Sequence, residues 1–258
     1  MAIESEPNLY STRWFRSFHI PISDTRTIRE VDFVCSVAPL PAFRVLADVC
    51  CGMGRHARSL SERGYSVAGI DRDITIVQNA RGLGGGVHYI QADLRDYMPQ
   101  SGVFDVVIIM GQSFGHFDAA TNQKVLKHLA NGMRQGGRLV LDLWNPDFFV
   151  SHQGARDFDL PNAVVHETKQ VENDRLFVQL TYPNGDQEQF DWQLFTRTDM
   201  EAIAPQLGLK LIACCTDFDR STIACASKPR IQFILERALF GKRRSVRKTF
   251  DQPTVRLR

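Results

Sequence analysis

Residues 45–71 read VLADVCCGMGRHARSLSERGYSVAGID, and the rest of the chain is organised around them. Val45-Leu46-Ala47 is a short apolar run that meets Asp48, and Val49-Cys50-Cys51 leads into Gly52-Met53-Gly54. Beyond the glycines, Ala57 and Leu60 have the spacing of a helix packed on a sheet. Gly64 ends that helix, as a residue that tolerates a left-handed backbone does. Tyr65 to Ile70 is a second, β-rich run that stops at Asp71. Strand, glycine turn, helix, strand, acid is the order of a nucleotide-binding half of an α/β sheet.

Glycines at 52 and 54 allow a sharp turn and the close approach of a ligand. An acid about 20 residues further on is placed to accept the hydroxyls of a ribose. Gly52, Gly54 and Ala57 also fit a dinucleotide fingerprint, which keeps an NAD(P)-binding oxidoreductase as an alternative. Asp48 separates the two readings, because its charge repels a pyrophosphate but not a cationic sulfonium or ammonium. The run Asp48-Val49-Cys50-Cys51-Gly52-Met53-Gly54-Arg55 resembles motif I of the class I S-adenosylmethionine-dependent methyltransferases. Asp71 resembles their ribose-binding acid, and Ala92-Asp93 the acid that meets the adenine amino group. The resemblance extends from about Trp14 to Lys228. It implies S-adenosylmethionine as cofactor, held by Asp48, Cys50, Gly52, Gly54, Asp71, Arg72, Asp93, Leu94 and Met110, with Arg55 bracing the turn.

A chain of 258 residues, 43% hydrophobic and 23% charged, suits one soluble domain with an insertion. The N-terminus has no basic and apolar pattern of a secretory signal, and no run approaches a membrane helix, so a cytoplasmic location is expected. The six cysteines, at 35, 50, 51, 214, 215 and 225, have neither zinc-ligand nor disulfide-framework spacing, and no metal is assigned. Net charge is only +2, yet Lys228 to Arg258 holds ten Lys/Arg against Glu236 and Asp251. That segment therefore carries +8 and the remainder −6.

The expected class is α/β, Rossmann-like: a seven-stranded, mainly parallel sheet with its last strand antiparallel. Residues 1–40 form an N-terminal helical lid segment, in which Trp14, Phe15 and Phe18 either cover the cofactor cleft or anchor the segment to the core, and Thr27 to Val37 is amphipathic. Residues 41–228 are the main domain. Phe104 to Met110 reads as a central parallel strand. Residues 144–197 break the β/α rhythm with three β-rich runs, Val164 to Val171, Leu176 to Tyr182 and Gln187 to Phe195, around an Asn184-Gly185 turn, an antiparallel β insert after strand five. Thr198-Asp199-Met200-Glu201 reads as a capping box. Leu209 to Cys214 and Ser221 to Ser227 close the sheet. Residues 229–258 form a basic tail whose Ile231, Ile234, Leu235 and Leu239 suggest a short helix, solvated or able to contact RNA phosphates or an anionic membrane.

Methyl transfer needs an uncharged nucleophile held in line and, for some acceptors, a base. His116, just past strand four, is suited to proton transfer or to packing near the next helix, with Gln112 and Asn145 as further polar groups on the rim. Ser113, Trp144, Tyr10 and Trp14 would wall the substrate pocket. Gly111-Gln112-Ser113-Phe114-Gly115-His116-Phe117 is similar to a loop of the glycine N-methyltransferases, in which an arginine after strand five holds the substrate carboxylate. Trp144 stands in that arginine's place, which argues against glycine and for an apolar or aromatic acceptor. The function implied is S-adenosylmethionine-dependent N- or O-methylation of a small molecule. A nucleic-acid methyltransferase using the basic tail is the other alternative, although the Asn/Asp-Pro-Pro-aromatic motif of such amine methyltransferases is absent.

Overall fold

The structure, a computed structural model, describes residues 8–19, 22–160 and 163–239. The first five strands of the main sheet are β1 Val45–Val49, β2 Ser66–Asp71, β3 His88–Gln91, β4 Phe104–Ile109 and β5 Met133–Trp144. They pair in parallel, with β1 between β2 and β4. Helices α3 Arg55–Glu62, α4 Ile74–Gly82 and α5 Ala119–Gly132 make the crossovers. Because helices cover both faces, the central strand β4 is apolar from Val106 to Ile109, and Val106, Val107, Ile108 and Ile109 are fully buried.

Past β5 and the six-residue helix α6 Pro146–Ser151 comes the insert, β6 Gly154–Leu160, β7 Ala163–Glu172, β8 Arg175–Thr181 and β9 Gln187–Gln193. These four strands form a separate antiparallel sheet in the order β6-β7-β8-β9. Three of them follow the expected runs, and β6 is the addition. Helix α7 Arg197–Gln206 opens on Thr196, whose side chain and Asp199 satisfy each other's backbone amides. The capping box thus lies two residues before the expected one.

The main sheet has eight strands rather than seven, in the order β11-β10-β12-β5-β4-β1-β2-β3. Strands β10 Leu209–Thr216 and β11 Asp219–Ile223 are an antiparallel hairpin. Strand β12 Arg230–Arg237 is inserted between β5 and β10, antiparallel to both. The last strand is therefore antiparallel, as expected, but it is built from residues assigned to the tail. Ile231, Phe233, Ile234 and Leu235 are core, so the boundary at 228 and the helix from Ile231 are corrected. The remaining basic residues from 242 onwards lie outside the described residues. No described helix is long and apolar enough to cross a membrane.

The N-terminal segment divides in two. Helix α2 Asp24–Val37 starts one turn before the expected Thr27, capped by Ser23, and packs Val31, Phe33, Val34 and Val37 into the core beside Leu46, Leu60 and Val106. It is a layer of the fold rather than a lid. Residues 8–19, with the single-turn helix α1 Thr12–Trp14 and a π-helical turn Phe15–His19, lie against the insert.

Candidate functional site

The carboxyl ends of β1 and β4 carry two non-glycine residues with positive φ, Cys50 (57°) and Gln112 (63°). Such backbone is sparsely populated and collects where a chain must present groups to a ligand. Both residues line a cavity of about 470 Å³ that runs from the ends of β1, β2 and β3 to the inner face of the insert sheet.

Asp71, at the end of β2, stands beside the glycine turn and accepts the Gly52 amide at 2.9 Å. Asp93, after β3, is held below the usual carboxylate range by its hydrogen bonds to Arg95. Cys50, Gly52, Arg55, Arg72, Leu94 and Met110 line this end of the cavity with them. Two of the expected cofactor residues do not. Gly54 caps α3 with φ +73°, and a Cβ there would lie 2.1 Å from the Tyr89 hydroxyl, so its glycine serves the packing of the turn. Asp48 is buried beneath the turn, and its Oδ2 has no partner among the described residues. Burial raises its pKa to about 6, against the pull of His56 and Arg55. The orphaned acid, the adjoining Asp71 and Asp93, and the open space at Gly111, where a Cβ would meet nothing, form a cradle that fits a cationic nucleoside such as S-adenosylmethionine.

Arg55, which follows the glycine turn, is tied to α2. It bonds Thr27 at 3.1 Å and pairs with the fully buried Glu30 of α2, which also contacts His56 at 2.8 Å and Arg26 at 2.9 Å. Burial alone would raise the Glu30 pKa, but the His56 hydrogen bond and the neighbouring cations hold it well below the usual range.

The second half of the cavity is aromatic. Tyr10 packs on Trp14 (4.5 Å) and stacks on Phe190 (5.0 Å), which stacks on Trp192 (5.8 Å). His116 lies 6.1 Å from both Tyr10 and Trp192, and its buried Nδ1 has no partner among the described residues. Desolvation, with the Arg72 charge, lowers its pKa to about 4, so the ring is neutral at pH 7. Ser113 and Trp144 also line this half.

The other two proposed polar groups are both bonded to the backbone of the rim. Asn145 is buried and caps α6, and its amide donates to the Cys225 and Lys228 carbonyls at 2.8 and 2.9 Å. The Gln112 side chain donates to Phe114 O (3.1 Å) and accepts from the Trp144 amide. Both help to hold the rim together; Asn145 does not line the cavity, whereas Gln112 does and keeps a second amide N–H beyond these bonds.

Residues outside the sequence reading complete the site. Buried Asp142 accepts from Gly111 N (3.0 Å), Gln232 (2.8 Å) and Arg230 (3.0 Å), fixing the loop after β4. Arg230 lies 4.6 Å from the Trp144 ring centroid and lines the cavity. The insert adds Arg156, Glu167 and Lys169. Alternation along Val165-Glu167-Lys169 put these on one face, but nothing in the sequence said which face a cavity would occupy.

A family model described as a methyltransferase domain matches residues 46–137. Over those residues the chain is similar to a methyltransferase domain. Among its relatives are the glycine N-methyltransferases of Oryctolagus cuniculus, 27% identical over 173 residues (58% of this chain, 59% of that protein), and of Homo sapiens, 33% over 127 residues (42% and 43%). The chain spans less than two thirds of the length of these relatives. A S-adenosylmethionine-dependent methyltransferase from Clostridium acetobutylicum shares the fold at TM-score 0.71, with 16% identity over 88% of this chain and 96% of the other. A sugar N-methyltransferase from Streptoalloteichus does so at 0.67, with 22% identity over 93% and 99%.

Proposed function

We propose that the protein methylates a small molecule on nitrogen or oxygen, using S-adenosylmethionine. The observation that carries this reading is one continuous cavity with an acidic nucleoside cradle at one end and an aromatic chamber at the other. The names of the relatives, glycine N-methyltransferase and sugar N-methyltransferase, favour nitrogen. Bound S-adenosylmethionine supplies an electrophilic methyl group on a sulfonium. Asp71 and Asp93 would hold the nucleoside, and Asp48 would favour its positive charge from beneath the turn. Tyr10, Trp14 and Trp144 exclude water and fix the acceptor in line. The neutral imidazole of His116 accepts a hydrogen bond from the acceptor N–H or O–H and takes its proton as the methyl arrives.

Incubation with labelled S-adenosylmethionine and a panel of primary and secondary amines, aromatic and sugar-based, tests the activity. Transfer to at least one amine is expected, with kcat reduced about 100-fold in His116→Gln. An unchanged kcat in that variant would remove His116 from the chemistry, and no transfer to any amine would count against N-methylation.

A further inference from the structure

The wall of the acceptor chamber carries three charges around one point. Glu167 Oε2 is 2.5 Å from Arg156 Nε and 2.6 Å from Lys169 Nζ. The Glu167 and Lys169 side chains are 11% and 9% exposed. Two cations share one carboxylate, so the group has one positive charge in excess, with Lys169 buried and Arg156 54% exposed.

The register explains why that charge faces the cavity. Across the insert sheet Lys169 pairs with Gly154 on β6 and Val178 on β8, and Val178 pairs with Phe190 on β9. Its row therefore offers no acceptor, and Gly154 puts no side chain over it. An ammonium has three N–H donors. One is directed to Glu167, and the face of the Phe149 ring, 5.8 Å away, is a weak partner for another.

A second unsatisfied donor flanks the same ring. Trp144 meets Phe149 edge to face at 5.1 Å, and its buried Nε1, which can only donate, has no partner among the described residues. Arg230, over the Trp144 ring, is already neutralised by Asp142. The buried Glu188 is bonded by the Tyr182 hydroxyl at 2.9 Å and does not line the cavity.

Unused donors and excess positive charge call for an anion that accepts hydrogen bonds, because a bare cation here would face Lys169. One excess charge matches a monoanion. The surrounding Leu176, Val178, Phe190 and Trp192 match an apolar or aromatic body. The geometry points to a methyl acceptor that carries a carboxylate on an apolar body, with Lys169 as its anchor and Trp144 Nε1 as a second donor. This inference rests on the methyltransferase reading above. It places the anion on the insert, not at the residue after β5 where the resembled glycine enzymes keep their arginine.

The test is calorimetric titration of the full-length protein, saturated with S-adenosylhomocysteine, with two pairs of probes: phenylacetate against phenylacetamide, and indole-3-acetate against indole-3-acetamide. The carboxylate of at least one pair should bind about tenfold tighter than its amide. Lys169→Gln should erase that difference and Lys169→Arg should keep it. Glu167→Gln should keep or enlarge it, since a competing carboxylate is gone. A merely structural cluster would respond in the same direction to Lys169→Gln and Glu167→Gln. Equal binding of acid and amide, no binding of either acid, or a preference for phenethylamine that Glu167→Gln abolishes would overturn the inference. The preceding S-adenosylhomocysteine titration separates the two levels: if that ligand binds and the acids are not preferred, only the carboxylate anchor falls. If it does not bind, the methyltransferase reading falls first.

Discussion

Two buried groups give this site opposite responses to pH. Burial raises the Asp48 pKa from about 3.8 to about 6, so between those values the folded protein binds more protons than the unfolded chain. Stability from this group therefore falls as pH rises through that window, and above it the ionised acid is a fixed cost of up to about 3 kcal/mol. Asp48→Asn should make the ligand-free protein more stable than the parent at pH 7.5 by about 2–3 kcal/mol in urea unfolding, and by under about 1 kcal/mol at pH 4. The same variant should bind S-adenosylmethionine more weakly, since the positive nucleoside loses its buried counter-charge. His116 runs the other way. Its pKa falls from about 6.5 to about 4, so its contribution is fully present above 6.5 and is lost as pH drops towards 4. Between about pH 4 and 6 the two slopes largely offset each other, so His116→Phe should leave a profile that falls as pH rises there, and a profile unchanged by the substitution would contradict the burial of this ring.

At the scale of elements, α2 and the glycine turn are joined through Glu30. Removing one member of a buried ion group leaves its partners uncompensated, typically at about 3–5 kcal/mol. Glu30→Ala should lower urea-unfolding stability by about that amount and weaken S-adenosylhomocysteine binding, because Arg55 and His56 lose their anchor beside the turn. Loss of stability with unchanged binding would show that α2 does not hold the turn. Strand β12 gives a sharper contrast. A chain ending at Leu239 should fold and bind as the full chain does. One ending at Lys228 should not fold, because β5 and β10 lose the strand between them. Circular dichroism and a thermal melt of both truncations decide this. The sequence misled here for a physical reason: β12 is buried on both faces, so Ile231, Phe233, Ile234 and Leu235 form a run with no period of two. The alternating β1–β5 core and the three longer insert strands were legible because their turns and runs obey local rules. Strand β6 was not, since this edge strand is mostly exposed and interrupts its few apolar residues with Arg156, Asp157 and Asp159, as edges that avoid aggregation do. Asp71, Asp93 and His116, singled out by motif and loop position, all line the cavity. The cap made by Asn145 and the rim bonds of Gln112 were not legible, because polarity on a rim suits a cap or a brace as well as a catalytic role, and only the backbone partners show the difference.

On the scale of the whole molecule, two sheets face one cavity, and residues 8–19 tie them together. Asn8 donates to Asp191 of β9 at 2.9 Å and receives Arg72, beside the cofactor acid, at 2.7 Å. Gly115 lets the insert approach the loop after β4, since a Cβ there would lie 2.6 Å from the Gln193 carbonyl. The Asp71–Asp93 end of the cavity, the loop after β4 and the aromatic end are thus held as one unit, the arrangement that the proposed in-line methyl transfer requires. The measurement that bears most directly on this reading is calorimetric titration of the full-length protein and of Asp71→Asn with S-adenosylmethionine and S-adenosylhomocysteine, in parallel with NAD and NADP. Micromolar binding of the first pair alone is expected, weakened by about 1–3 kcal/mol in Asp71→Asn as the ribose loses a charged acceptor. Binding of NAD or NADP in their place, or an Asp71→Asn variant with undiminished affinity, would contradict it.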